Sequence, residues 1–464
     1  MKKDRKLFII RRVFSLLTVF LFTAAITVIG VLFFVVPKSE NSEIERRKLA
    51  KMPEFTSKAL ASGKFTDDYS VYYSDNFAFR DKLVKTSFAL EDLRGIRYGN
   101  VKVYGSDNNT NTDKGEISSI DEKLYTLKKS ALDNVSVKVG EDKLPAKPVQ
   151  TIIQNESEYA YLTQADLEGE KRGSLFMIGT TALEIFYGNS NVAADYSNTV
   201  NSFRYSLPAD VKVYCEVVPT HFEFGLPSKY KTSVGRREKP FIDDIYSNLD
   251  ANVYAVDAYS KIEQSYNNGD YDYFRTDHHW TARGAYAAYT AFAETAGFTP
   301  SELSDFESGR IDKFLGTFYS STYDKNLEDN PDYVEYFLPF TEYEMTNYES
   351  DGVTHSSGKA VYTNVSGESN GYLAFTGGDH PMSVIKTKNA TGRKIIVYKE
   401  SYGNAFVPFL IANFDEIYVA DIRSFPFSSL SFIEDKGITD VLFLNNIMSA
   451  CTPARVMNIM NLLK

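Results

Sequence analysis

Asp277-His278-His279-Trp280 places a carboxylate, two imidazoles and the chain's only tryptophan in four consecutive positions. With five histidines among 464 residues, an adjacent pair beside an aspartate concentrates acid–base capacity in one short turn. Imidazole titrates closest to neutrality of all side chains, and a neighbouring carboxylate orients the ring and stabilises its protonated form. What this group lacks is a nucleophile. Lys399-Glu400-Ser401-Tyr402-Gly403-Asn404 offers one: an apolar strand over Lys394–Tyr398 ends, a serine follows at the turn, and an apolar helix starts within a few residues. A hydroxyl so placed is exposed at a strand end, and helix N–H groups aimed at the same point can hold a developing oxyanion. Gly403 permits close backbone approach, and Asn404 adds a side-chain donor.

A serine needs an adjacent base, and the base needs an orienting group. Asp277 and His279 are two residues apart, so in an irregular turn both can face one cleft while His278 points elsewhere. The same residues also read as helix caps. Serine is a preferred N-cap, and on the local pattern alone capping is the commoner role for Ser401. Asp277 can likewise bond the backbone amides that open the helix beginning near Trp280.

The elements that must position these groups are visible as short runs. Val211–Val218, Lys394–Tyr398, Glu416–Val419 and Asp440–Leu444 predict strands; Asp195–Ser206, Thr281–Ala296, Ala405–Asn413 and Pro453–Leu463 predict helices. Their alternation predicts an α/β fold with a mostly parallel sheet covered on both faces. In such sheets ligands gather at the carboxyl ends of strands, which is where Ser401 falls. Residues 151–464 are assigned to this domain, and residues 37–104 to a stalk and an aromatic helical region packing on it. Residues 105–150, dominated by Asn, Thr, Ser, Asp and Lys, read as a polar insertion. Aromatic residues from Tyr319 to Tyr343, interleaved with acids, read as a loop packed on the sheet, with a sugar-holding groove as the alternative.

Residues 1–12 carry six basic side chains against one acid, and no charge follows from Val13 to Val36. That run is long enough for the ~20 apolar residues of a spanning helix and exceeds the roughly 7–15-residue core of a cleaved signal peptide. A single transmembrane anchor over residues 13–36 is expected, touching the lipid bilayer, with residues 1–12 cytoplasmic and everything after Lys38 outside. The formal charge of −10 includes +5 from the first twelve residues, so the remainder carries −15, which argues against nucleic acid as a partner. Two cysteines exclude a disulfide scaffold; Cys215, in an apolar run, reads as a buried free thiol, with a single bridge to Cys451 as the alternative. No zinc-type spacing, Walker loop or dinucleotide turn occurs, and serine chemistry needs no metal or cofactor.

Thr-Asp277-His-His279-Trp280-Thr, followed far downstream by a strand ending in Lys-Glu-Ser401-Tyr-Gly-Asn404, resembles the bacterial DHHW family. That family is similar to the alginate-type polysaccharide O-acetyltransferases of the SGNH hydrolase superfamily. Asp75–Arg80, Pro219-Thr220, Gly377-Gly378 and Asp421–Arg423 are also family-like, so the resemblance runs from about Glu43 to the C-terminus. It implies a three-layer α/β/α SGNH-like sandwich in which Ser401 is the nucleophile, His279 the base and Asp277 its orienter. The Asp-x-His-Trp element precedes the serine, the reverse of ordinary SGNH esterases, and Glu400 stands where Asp is more frequent. The implied oxyanion hole combines the serine amide with a glycine amide and an asparagine side chain, for which Gly378 and Asn404 are the candidates. Arg423 and Trp280 are further candidates for substrate binding, with an ion pair to Asp421 the plainer role for Arg423.

The implied activity is acetyl transfer, through an acyl-serine, onto a cell-surface or secreted polysaccharide outside the membrane. A membrane-bound O-acyltransferase is the implied partner that delivers acetyl groups. An acyl-ester hydrolase on the same fold and a non-catalytic glycan-binding protein are the alternatives. A pure binder would not require the Asp277, His279 and Ser401 set.

Overall fold

In a computed structural model of the protein, residues 174–463 are described continuously, with residues 169–172 and, nearer the N-terminus, residues 50–57, 63–77 and scattered positions between 20 and 79. They fall into two compact units, residues 1–96 and 97–464. In the first, a helix over Lys64–Asp75 starts after Gly63, whose φ of +81° suits a residue without Cβ. The helix ends in two groups that hold Ala50: the Asp75 carboxylate accepts its N–H at 2.9 Å, and the Asn76 amide donates to its carbonyl at 2.9 Å. The 105–150 insertion and most of Val13–Val36 lie outside the described residues. Among the described residues, no helix is long and apolar enough to cross a membrane.

The first described elements of the second unit are a small antiparallel sheet of Gly169–Arg172 (β1), Leu175–Ile178 (β2) and Thr181–Glu184 (β3). Helix Ser190–Tyr205 (α1), capped by the Asn189 side chain, leads into strand Lys212–Val218 (β4). Helix Lys239–Ser247 (α2), strand Val253–Ala255 (β5) and helices Ala258–Asn267 (α3) and Ala282–Ala296 (α4) follow. An antiparallel pair, Glu307–Phe314 (β6) and Asp332–Leu338 (β7), brackets the short helix Thr317–Thr322 (α5). Strands Tyr343–Tyr348 (β8), His355–Gly358 (β9) and Met382–Thr387 (β10) come next. The chain then alternates: Lys394–Lys399 (β11), Gly403–Leu410 (α6), Glu416–Asp421 (β12), Ser429–Lys436 (α7), Asp440–Asn446 (β13) and Pro453–Leu462 (α8).

The main sheet has eight strands in the order β9-β8-β10-β12-β11-β13-β4-β5. It is mixed, which corrects the mostly parallel expectation. From β12 to β5 every pairing is parallel, whereas β9, β8 and β10 join antiparallel. Parallel neighbours need a crossover of a dozen or more residues, usually helical. The link between Tyr348 and His355 is too short for one, so that pair can only fold back as a hairpin. Helices cover both faces of the parallel half. Phe203 of α1 packs edge-on against Tyr398 and Phe443 at 5.7 and 5.1 Å, while Phe292 of α4 meets Tyr214 on the opposite face at 5.2 Å and Phe406 of α6 at 6.1 Å. Cys215 and Cys451 are buried free thiols.

One strand residue works against this core. Glu216, within β4, is fully buried, and among the described residues neither carboxylate oxygen has a hydrogen-bond partner. Burial pushes its carboxyl well above the ordinary 4.5, so the folded chain keeps a proton that the unfolded chain releases. Stability from this group is therefore present below about pH 4.5 and is lost as pH rises above it. Glu216→Leu is expected to raise stability at pH 8 by ~1–3 kcal/mol, the desolvation cost of an unsatisfied buried polar group, and by less at pH 4.5. Denaturant melts at the two pH values measure the difference; an equal gain at both would refute the linkage.

Candidate active site

Two turns at the carboxyl edge of the parallel strands meet to make the site. The first follows β11, whose residues from Ile395 onward are all buried. Glu400 shapes the turn: its Oε2 accepts the Tyr402 N–H at 2.9 Å and its Oε1 accepts the Asn446 N–H, at the end of β13, at 2.8 Å. Both oxygens of this buried carboxylate serve backbone amides on two adjacent strand ends, a span for which the extra methylene of Glu over Asp gives reach. Ser401 sits on the turn, and α6 begins two residues later. Among the described residues the Ser401 N–H has no acceptor.

The second turn is held from below. Asp332, at the start of β7, accepts the Arg275 N–H (2.9 Å), the Thr276 N–H (2.7 Å) and the Thr276 hydroxyl (2.7 Å), and pairs with the Arg275 guanidinium at 2.9 Å. The backbone entering Asp277 is thus clamped at two consecutive residues. On the far side, Thr281 caps α4 with its hydroxyl oxygen.

Between these clamps three side chains form a hydrogen-bonded chain. Asp277 Oδ1 lies 2.5 Å from His279 Nδ1, and His279 Nε2 lies 2.7 Å from Ser401 Oγ. Asp277 is fully engaged: Oδ1 also accepts the His279 N–H at 3.0 Å, while Oδ2 accepts the Thr317 N–H at 2.7 Å and the Thr317 hydroxyl at 3.1 Å. Its cap-like bonding and its contact with the imidazole therefore coexist. Gly316 makes the approach possible, since a Cβ there would lie 2.1 Å from that of Asp277. His278 turns aside, with Nδ1 2.7 Å from the Thr317 hydroxyl and its side chain 30 % exposed.

Trp280 and Tyr402 tie the two turns together. The indole N–H donates to the Tyr402 carbonyl at 2.9 Å, and the Tyr402 hydroxyl donates to the His278 carbonyl at 2.5 Å. Trp280 is completely buried, so it braces the serine turn and has no surface for substrate. The other candidates lie in one polar cluster. Asn404 takes the Lys399 ammonium on its oxygen (2.6 Å) and donates to Asp379 at 2.9 Å; Lys399 and Arg423 also pair with Asp379, at 2.7 and 2.6 Å. Burial raises the Asp379 carboxyl, but Lys399 and Arg423 together hold it well below the usual carboxylate range. Arg423 additionally pairs with Asp421 through two nitrogens. The Gly378 N–H, an oxyanion candidate, donates instead to the Phe375 carbonyl at 3.2 Å in a left-handed turn.

Asp277, His278 and His279 also offer ligand atoms within 4.8 Å of one another, a spacing that could hold a metal ion. In this geometry those atoms bond each other and Thr317 instead. His221 is tied to the Phe274 carbonyl at 3.1 Å and stacked on Tyr273, and burial lowers its pKa to about 4. Residues absent from the sequence reading are Asp332, Thr317 and Tyr372, the last stacked on His279. The Gly316-Thr317 pair, close behind the end of the Glu307–Phe314 strand, was the local signal available.

A DHHW family protein from Eubacterium siraeum DSM 15702 is 35% identical, covers 63% of this chain and 97% of its own, and superposes with a TM-score of 0.59. Bacillus cereus PatB1 is 21% identical over 62% of this chain and 99% of its own, with a TM-score of 0.52. PatB1 carrying a sulfonyl adduct gives 19% identity, 61% and 98% coverage and a TM-score of 0.50. At those identities the likeness to PatB1 concerns the α/β fold. No curated protein sequence matches the chain. The DHHW protein family matches residues 45–420, which include the clamped Asp277–Trp280 turn and Ser401. By that match, and by its likeness to the Eubacterium siraeum protein along nearly that protein's whole length, this chain belongs to the DHHW family.

Proposed function

We propose that the protein is an O-acetyltransferase that carries an acetyl group on Ser401 and delivers it to a polysaccharide hydroxyl. The observation that carries this reading is the 2.7 Å contact of His279 Nε2 with Ser401 Oγ, with Asp277 on the other ring nitrogen. Ser401 Oγ attacks the carbonyl carbon of an acetyl ester as its proton passes to His279 Nε2. Collapse of the tetrahedral intermediate breaks the bond to the donor oxygen, which takes that proton, and leaves acetyl-Ser401. A sugar hydroxyl then gives its proton to His279 and attacks the acyl carbon; Ser401 Oγ departs and recovers the proton. The Ser401 N–H supports the oxyanion, and Asn404, with one amide hydrogen on Asp379, keeps a second available.

The acceptor class follows from the resemblance of DHHW proteins to alginate-type O-acetyltransferases. We further infer that Val13–Val36 anchors the chain and leaves the site outside the membrane, where a membrane-bound O-acyltransferase supplies acetyl groups; the uncharged run and its basic flank support this. His279→Ala is expected to lower turnover of p-nitrophenyl acetate by roughly 10²–10⁴-fold, the span typical of removing a positioned base. His278→Ala should cost far less, and the reverse order would reassign the base. Incubating the protein with p-nitrophenyl acetate and candidate glycans tests the acceptor. Acetylated oligosaccharide is the expected product; free acetate alone, at an unchanged rate with every glycan, would make the protein an esterase.

A further inference from the structure

Tyr372 stands in a 3-10 turn over Gly371–Ala374, a segment that no motif marks. Its ring lies parallel to the His279 imidazole, with centroids 3.8 Å apart and planes within 10°. Its hydroxyl donates to the Ser401 carbonyl at 3.0 Å. One side chain thus touches the base through its face and the serine turn through its edge. Gly371 lets the turn come this close, because a Cβ there would press on Phe314 at 2.7 Å. Tyr372 is itself buried, and Phe274 and Phe375 pack on its ring at 6.2 and 5.3 Å, so its position is fixed. Burial, with the carboxylates of Glu400 and Asp277 nearby, keeps its hydroxyl protonated and able to donate.

We propose that Tyr372 is a positioning residue for acyl transfer, holding the His279 ring in register with Ser401 and stabilising the imidazolium that forms when Ser401 gives up its proton. The role rests on the assignment of Ser401 and His279 above. A π face attracts a cation most strongly where water is excluded, and the parallel stack presents that face to the whole imidazole. The attraction grows as the ring gains charge, so it favours the transition state over the resting state and acts on kcat more than on KM.

The test compares Tyr372→Phe, Tyr372→Leu and Ser401→Ala with the unmodified protein on p-nitrophenyl acetate, with rates expressed per folded molecule. Tyr372→Leu is expected to lower kcat by about 30-fold with KM little changed, the scale of a desolvated cation–π contact. Tyr372→Phe keeps the face, loses the bond to the Ser401 carbonyl, and should fall by only about 2–10-fold. Tyr372→Met fills the space without a π face and replaces the leucine variant if that one does not fold. Full kcat in the non-aromatic variant, or a phenylalanine variant as impaired as it is, overturns the proposal. Loss of turnover in Ser401→Ala beside full turnover in Tyr372→Leu would remove this inference alone; turnover retained by Ser401→Ala would remove the nucleophile assignment beneath it.

Discussion

Ser401→Ala is expected to reduce acyl-ester turnover by about 10⁴-fold or more, because removing a nucleophile disables the whole constellation and leaves only binding and oxyanion stabilisation. The substitution should leave the fold almost untouched. The serine turn is shaped by Glu400, which serves the Tyr402 and Asn446 amides, and by the indole of Trp280 on the Tyr402 carbonyl; none of these bonds uses Ser401 Oγ. A melting temperature close to that of the unmodified protein, together with lost turnover, is the expected pair of results. Equal loss of both would reduce Ser401 to a structural role.

The second large effect is expected at Asp277. Its carboxylate accepts from donors on both oxygens: the His279 imidazole and N–H on Oδ1, the Thr317 N–H and hydroxyl on Oδ2. Asparagine cannot reproduce this, since one of its two atoms donates. If the amide nitrogen faces Thr317, two N–H groups collide at 2.7 Å. If it faces His279, the ring must present a bare Nδ1 and carry its proton on Nε2, where it can no longer accept the Ser401 proton. The first orientation disrupts the turn that positions the base and the second removes the base itself, so Asp277→Asn is expected to lower kcat by roughly 10³–10⁴-fold. Steady-state kinetics with p-nitrophenyl acetate checks this. Turnover within a few-fold of normal would mean that Asp277 merely caps the turn.

The parts of the site that depend on local chemistry were legible in the chain. The β11 strand, its serine turn and the following helix appear as an apolar run broken at Lys399–Gly403, and the Asp-x-His spacing is met by an irregular turn in which both side chains converge. The parts set by distant segments were not. Asp332, which clamps Arg275 and Thr276, lies 56 residues from Thr276 on a strand with no distinguishing pattern. Tyr372 is one of 32 tyrosines, and only the path of the 3-10 turn brings it onto His279. The antiparallel half of the sheet was missed because Tyr343–Tyr348 mixes polar and apolar residues in a strand whose burial is only partial. Trp280 illustrates a further limit: its place in the motif suggested substrate contact, whereas its burial and its bond to Tyr402 assign it to holding the two turns together.

The central claim is that Ser401 carries the acetyl group, and acid-quenched protein examined by mass spectrometry tests it most directly. After brief exposure to p-nitrophenyl acetate, the intact protein should gain the mass of one acetyl group, which peptide mapping assigns to Ser401 and which glycan acceptor discharges. The same label on Ser401→Ala, or an unmodified Ser401 peptide while turnover proceeds, would contradict it.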